Sequence, residues 1–130
     1  MISREDLKNK LREEQSSEIK PLYPDFFKEI ENYIQEIDDE IREIGNPYAI
    51  ESKLLEDELQ SALTDIDIIF MRRVKKVTSL ATSRAFAQSH TAVPTQSLTE
   101  DEKELYNLIY NSIKNMQSKI IDPIHDPSKK

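Results

Sequence analysis

The sequence predicts an all-α protein, a bundle of about four helices in which one helix is overlong. Three observations support this fold class. Apolar residues recur at spacings of three and four, which is typical of one face of a helix. The chain has one Gly in 130 residues, whereas tight β-turns depend on Gly. Residues 49–89 contain neither Gly nor Pro, so no residue of the strongest helix-breaking types interrupts them.

The first two predicted helices differ in apolar content. The first covers about residues 3–15 and begins with a capping box of Ser3 and Asp6, but it has only Leu7 and Leu11 as apolar anchors. The second begins near Pro24 and ends at Gly45, because Gly suits a helix C-cap and Pro47 prevents continuation. Its apolar residues follow heptad spacing and form one seam: Phe27, Ile30, Ile34, Ile37, Ile41 and Ile44.

The third predicted helix runs from about residue 49 to about residue 89, with a candidate break near residue 82 where Thr and Ser lower helix propensity. About 40 residues would span roughly 60 Å, which is longer than a compact domain of this size. Such a helix must protrude, bend or pack against another chain. The fourth helix begins with a capping box at Thr99 and Glu102 and is predicted to end at Asp122-Pro123, before a linker-like tail at 122–130.

Composition excludes several classes of protein. The chain has no Cys, which excludes disulfides and thiolate metal sites and fits a cytoplasmic location. No apolar run reaches the ~20 residues needed to cross a bilayer, so no membrane association is predicted. The net charge of -7 is uneven: residues 1–70 carry 8 basic and 19 acidic side chains, and residues 71–130 carry 10 basic and 6 acidic ones.

The sequence offers no catalytic or cofactor site. His90 and His125 lie in predicted loops without the spacing of a helical metal site. A phosphate-binding loop needs more than one Gly, and no Gly-x-Ser-x-Gly elbow is present. The acidic runs at 38–40 and 56–58 are interpreted as a solvated face with a possible role in partner contact. We therefore predict a protein that is not an enzyme and binds no cofactor or metal.

A basic cluster in the third helix has two interpretations. Residues 71–90 contain no acid, and they include Arg72, Arg73, Lys75, Lys76 and Arg84. These side chains are candidates for contact with DNA phosphates. The interpretation favoured here is an ion-pair strip toward a partner subunit, because five charges are few and the chain as a whole is acidic.

Five segments resemble the helical domain of archaeal GINS subunits. Residues 22–27 (LYPDFF) are similar to the family's Leu-x-x-Asp-Phe-Tyr entry to its second helix. Residues 55–59 (LEDEL), 72–77 (RRVKKV) and Leu80-Ala81 are similar to its long helix, and residues 98–106 (LTEDEKELY) to its last helix. The resemblance covers about residues 20–121, and it rests on the order and spacing of these motifs. The sequence departs from the family at Phe27, where Tyr is common.

The resemblance implies a non-catalytic scaffold in DNA replication. In the helical-domain-first class, such domains assemble into a tetrameric core, either four copies of one subunit or two copies each of two. That complex binds and stimulates the MCM replicative helicase, binds a RecJ-like protein, and meets DNA only indirectly. Residues 1–121 would be the GINS-like domain. The family's C-terminal β-rich domain is absent after the tail at 122–130, which puts binding of the RecJ-like protein in question.

Two other functions stay open at this point: a nucleic-acid-binding module that uses the basic cluster, and an unrelated helical oligomerisation adaptor. The apolar seams exceed what one small bundle covers, which is typical of interfaces. Side chains on these seams are the predicted interface residues: Phe26, Phe27, Ile30, Ile34, Ile37, Leu55, Leu59, Ile66 and Phe70.

Overall fold

The computed structural model of the chain describes residues 2–87 and 95–129. Five α-helices follow one another: α1 (Arg4–Glu13), α2 (Phe26–Ile44), α3 (Ile50–Phe86), α4 (Glu100–Met116) and α5 (Asp122–His125). A π turn (Gln117–Ile121) joins α4 to α5, and 3-10 turns lie at Thr95–Ser97 and Pro127–Lys129. The described residues include no β-strand. The all-α prediction with one overlong helix is therefore confirmed.

Local capping interactions at the helix ends explain why three of the predicted helix ends agree with the structure. The side chain of Ser3 accepts a hydrogen bond from the Asp6 backbone and the Asp6 carboxylate accepts one from the Ser3 backbone, so the capping box of α1 is present. Thr99 and Glu102 make the same reciprocal pair at α4. Gly45 ends α2 with a φ of 69°, a left-handed conformation that Gly adopts without strain.

Two helix ends differ from the prediction. Helix α2 begins at Phe26 rather than near Pro24, after Asp25 adopts a φ of 64° without a side-chain cap. At the other end of the chain, the helix does not stop at Asp122-Pro123 but continues through the π turn into α5. Pro123 is the second residue of α5, in the first turn of that helix, where Pro is tolerated.

Helix α3 is continuous through the candidate break near residue 82. The hydroxyls of Thr78 and Thr82 donate hydrogen bonds of 2.7 and 2.8 Å to the carbonyls of Val74 and Thr78, four residues earlier. These bonds satisfy the polar side chains within the helix itself. The 37 residues of α3 span roughly 55 Å at a rise of about 1.5 Å each.

The chain divides into two compact units, and α3 contributes to both. Unit 1 comprises Met1–Ser17 and Leu22–Arg72, and unit 2 comprises Glu18–Pro21 and Arg73–Lys130. Among the described helices, none is both long and apolar enough to cross a membrane.

The core of unit 1 is built from large apolar side chains on α1, α2 and α3. Phe26, Ile30, Tyr33 and Ile37 of α2 are buried together with Ala62 and Ile69 of α3, and Ile2 and Leu7 close the cluster. Lys8 of α1 also lies 2.7 Å from the buried carboxylate of Asp65. These contacts supply the tertiary support that α1, with its few apolar residues, requires.

The core of unit 2 is smaller and less aliphatic. Its buried apolar residues are Ile19, Val77, Ala81, Leu98 and Tyr106. The ring of Tyr106 stacks on that of Tyr110 with centroids 6.3 Å apart. Ile19 lies in the short segment Glu18–Pro21, so a piece of the chain that precedes α2 completes this core.

Candidate functional site

The predicted interface residues fall into three groups in the structure. Phe26, Ile30 and Ile37 are buried in the core of unit 1. Their prediction as interface residues is wrong, because they belong to one buried cluster with side chains of α1 and α3 in the same unit. Partly buried side chains pack against that core at Ile34, Leu55, Leu59 and Ile66. Only Phe27 and Phe70 are exposed, with 59% of Phe70 accessible to solvent.

The basic cluster is divided by the burial of its central residue. Arg73 is 0% exposed, and its guanidinium makes a two-pronged contact with the carboxylate of Glu102, at 2.7 Å through Nε and 2.8 Å through Nη2. It also donates to the carbonyls of Lys20 at 2.8 Å and Ser97 at 3.1 Å. Arg73 is therefore an internal cation of unit 2, and its prediction as a contact with DNA or a partner is wrong.

Glu102 serves two helices at once. Its carboxylate accepts a 2.9 Å hydrogen bond from the Thr99 backbone, as the capping box of α4 requires, and it pairs with Arg73 of α3. Burial acts to raise the pKa of Glu102, but the hydrogen bonds from Arg73 and Thr99 outweigh it and hold the pKa below its ordinary value. The sequence shows the capping half of this arrangement; nothing in its spacing shows the pairing with a residue 29 positions away.

The other basic residues differ in their exposure to solvent. Arg72 is half-buried and donates a long 3.4 Å hydrogen bond to the carbonyl of Leu11 in unit 1. Lys76 and Arg84 are half-buried, and Lys75 is exposed. Binding to DNA phosphates needs several cations on one accessible face, so the nucleic-acid interpretation loses the residue at the centre of its cluster.

One residue of the acidic runs, Glu58, makes a partly buried contact. The hydroxyl of Tyr33 donates a 2.7 Å hydrogen bond to Glu58, and burial together with this carboxylate raises the pKa of Tyr33. Burial and the neighbouring Glu29 raise the pKa of Tyr23 to about 12. Both phenols therefore stay neutral at physiological pH, and neither is prepared as a general base.

Two features bear on metal binding in the described part of the chain: the grouping of potential ligands and the position of its one described histidine. Among residues 2–87 and 95–129, no three or more His, Cys, Asp and Glu side chains are grouped to hold a metal ion. His125 lies exposed at the end of α5 rather than in a loop. His90, and most of the predicted loop around it, lie outside the described residues.

Exposed apolar side chains are the remaining feature with functional potential. In unit 1 they lie near the start of α2, around the turn between α2 and α3 and along α3: Tyr23, Phe27, Ile44, Tyr48, Ile50, Leu54, Leu63, Phe70 and Met71. In unit 2 they concentrate where α3 ends and α4 passes into α5: Phe86, Met116, Ile120, Ile121 and Ile124. Of these exposed residues, Phe27 and Phe70 are among the interface residues predicted from the sequence, and none of the unit 2 residues is.

Residues 2–87 and 95–129 therefore form a helical structure that exposes several large apolar side chains. Comparison with models of known protein families, with curated proteins and with solved structures finds no match to this chain.

Proposed function

We propose that this chain is a non-catalytic helical assembly subunit of the GINS class, which scaffolds and stimulates the MCM replicative helicase at the replication fork in the cytoplasm. The five segments that resemble GINS subunits suggest the family. The observation that carries the assembly role is the exposed apolar row on α3 in unit 1, formed by Leu63 and Phe70 with Met71 beside them.

This row has the properties of a protein-binding surface. Leu63 and Phe70 are seven residues apart, so two helical turns place them on the same face of α3. Single exposed apolar residues are common on proteins, but a row that includes a largely exposed aromatic is typical of an interface anchor. A partner helix that packs along α3 would remove these side chains from water.

The partners that follow from this role are other subunits and the helicase. The core would be a homotetramer or a 2:2 heterotetramer with a second GINS subunit. The MCM helicase would bind the assembled core, and a RecJ-like protein is a further partner whose binding site is expected outside this domain. The surplus of acidic side chains in residues 1–70 favours a basic partner surface and faster association at low salt.

Replacement of Phe70 by Ser tests the role directly. We expect Phe70→Ser to fold normally, since the side chain is exposed, and to weaken subunit assembly and helicase stimulation by at least about tenfold, as loss of a buried aromatic anchor does. The matched control is Ile50→Ser, which removes another exposed apolar residue of α3 (74% accessible) and should change neither. Mass by light scattering and unwinding by the MCM helicase of the same organism are the two measurements.

Two results would contradict the proposal in different ways. Equal helicase stimulation by the wild type and Phe70→Ser would show that the α3 row is not the assembly surface. A wild-type chain that associates with itself but neither binds nor stimulates the helicase would identify an unrelated oligomerisation adaptor instead.

A further inference from the structure

An apolar groove lies in unit 2 where α3 ends and α4 passes into the π turn. Its volume is about 310 Å³, and its lining residues are Phe86, Ile113, Met116, Gln117, Ile120 and Ile121. The accessible walls of the groove are entirely apolar. This site is separate from the α3 row of unit 1, and no residue of the basic cluster lines it.

The π turn shapes this groove. In a regular α-helix, consecutive residues point about 100° apart, yet both Ile120 and Ile121 line the groove. The extra residue in the turn is visible in the hydrogen bond from the Asp122 N–H to the carbonyl of Gln117, five residues earlier. Such π turns within α-helices are costly and occur frequently at functional sites.

The exposed apolar area around the groove is comparable with the apolar centre of a dimer contact. Phe86, Met116 and Ile120 are each more than half exposed, and Ile124 of α5 is 70% exposed. At on the order of 200 Å² for a large side chain, the patch that these residues form with Ile121 presents roughly 500 Å² of apolar surface. A standard interface buries about 800 Å² on each partner, with a polar rim around an apolar centre, so this patch suffices for the centre.

The charges beside the groove point to a second copy of the chain as the occupant. Lys119 lies within the π turn and Asp122 directly follows it. When this segment pairs with itself in the antiparallel sense, Lys119 of each copy approaches Asp122 of the other. A partner surface that carried only positive charge would be repelled by Lys119, and one that carried only negative charge would be repelled by Asp122.

We propose that the groove is a two-fold contact between two copies of this chain, in which Ile124 of each copy enters the groove of the other. Ile124 fits this role because it lies one helical turn beyond Ile120 and is among the most exposed side chains of the patch. A contact of this kind is isologous, so one surface supplies both the projecting side chain and the recess. The proposal rests on the assembly role proposed above but does not require the helicase as a partner.

The first test is the mass of the full chain by size-exclusion chromatography with light scattering, from about 1 to about 100 µM. We expect Ile124→Glu to halve the mass of the associated wild-type species and to weaken association by at least about tenfold, because a carboxylate would enter an apolar recess. The control is Leu108→Glu, at a residue of α4 that is 65% exposed and does not line the groove; its mass should equal that of the wild type. Circular dichroism checks that both variants are folded.

The second test uses the absence of cysteine from the chain. The proposed axis passes between Lys119 and Asp122, so Ile121→Cys places a thiol near its own symmetry mate and should form an interchain disulfide under mild oxidation. Leu108→Cys, roughly 20 Å away along the helix, should remain monomeric on a non-reducing gel. Equal cross-linking of the two variants, or none in either, overturns the two-fold geometry.

Other results separate this inference from the proposed function. A wild-type chain that is monomeric up to about 100 µM, or an Ile124→Glu variant that keeps the wild-type mass, overturns the inference even when the helicase is stimulated. A halved mass in Ile124→Glu together with no helicase binding by the wild type supports the two-fold contact and refutes the replication role.

Discussion

The two units of this chain reach stability by different physical means, although α3 runs through both. Unit 1 buries a regular seam of Phe26, Ile30 and Ile37 against α3, and its stability comes from the removal of apolar surface from water. Unit 2 has a smaller apolar core and is organised around the buried pair Arg73–Glu102. The same helix therefore presents an apolar face to one unit and an internal cation to the other.

The comparison explains why helical spacing on α3 places apolar residues in the core of unit 1 and a charged residue, Arg73, in the core of unit 2. In unit 1, the seam residues are apolar and their burial follows from their type, and the buried carboxylates of Glu14 and Asp65 are paired with lysines of α1. In unit 2, Arg73 occupies a core position and is buried because four hydrogen bonds and a carboxylate replace the water it loses. An unpaired charge at that position would be unstable, so the unit depends on residues from three separate segments.

The largest expected effect is the introduction of charge into the seam of unit 1. Ile37→Asp places a carboxylate at a position that is 5% exposed, and we expect it to lower the free energy of unfolding by more than about 4 kcal/mol. The control is Ile44→Asp, at the exposed end of the same seam, with an expected loss below about 1 kcal/mol. Chemical denaturation followed by circular dichroism measures both, and equal losses would show that the seam is not the core.

Removal of the internal cation is the matching test of unit 2. Arg73→Met leaves Glu102 without its charge partner and two carbonyls without a donor, so we expect a loss of about 3–5 kcal/mol. Arg73→Lys should restore little of it, because an ammonium group lacks the planar fork that meets both carboxylate oxygens. Lys75→Met, at the exposed neighbour, should change stability by less than about 0.5 kcal/mol. A loss as small as that of Lys75→Met in Arg73→Met would refute the buried pair.

The stability that the Arg73–Glu102 pair contributes to unit 2 should depend on pH. Because the pKa of Glu102 is lower in the folded chain than its ordinary value of 4.5, its contribution to stability is complete above that pH and is lost as pH falls through the folded pKa. Glu102→Gln should be less stable than the wild type at pH 7, and the difference should narrow below pH 4.5. Unfolding curves at a series of pH values test this; a constant difference at all values would contradict it.

The smallest expected effects concern the two left-handed residues that flank α2. Asp25 has a φ of 64° and Gly45 a φ of 69°, a region that costs a residue with a side chain about 1–2 kcal/mol. We expect Gly45→Ala to lower the free energy of unfolding by about 1 kcal/mol and Asp25→Gly to raise it by about 0.5 kcal/mol. Thermal melting of the two variants should move in opposite directions, and shifts of the same sign would disprove the strain at Asp25.

Sequence patterns predict those parts of the structure that depend on local chemistry. The capping boxes at Ser3 and Thr99 and the terminating Gly45 involve residues within three or four positions of each other, so they are visible in one window of sequence. The seam of α2 is visible for the same reason. Helix α3 also matches its predicted length within three residues at its end, because no Gly or Pro interrupts it.

The features that sequence patterns miss depend on contacts between distant segments. Arg73 was grouped with its basic neighbours, because its carboxylate partner lies on another helix and its carbonyl partner at Lys20 lies 53 residues away. Sequence patterns assign Ile30 and Ile37 to an interface, because their burial depends on side chains of α1 and α3, which are distant in the sequence. The proposed binding surfaces, the α3 row and the groove, likewise depend on which side chains are exposed and which lie next to each other, and both properties are defined only in the folded chain.

The path of the segment Glu18–Pro21 has a consequence for how this protein can be divided and made. These four residues belong to unit 2, while the chain on both sides of them belongs to unit 1. No single cut in the gene therefore yields two fragments that each hold one intact unit. During synthesis, Ile19 leaves the ribosome long before Val77 and Tyr106, so unit 2 must bring together residues 87 positions apart (19 and 106) before its core is complete. Unit 1 needs no residue beyond Arg72, so all of its residues have been synthesised before unit 2 is complete. A ribosome stalled between Arg72 and Tyr106 would therefore carry a chain that has all residues of unit 1, while Ile19 still lacks core partners in unit 2.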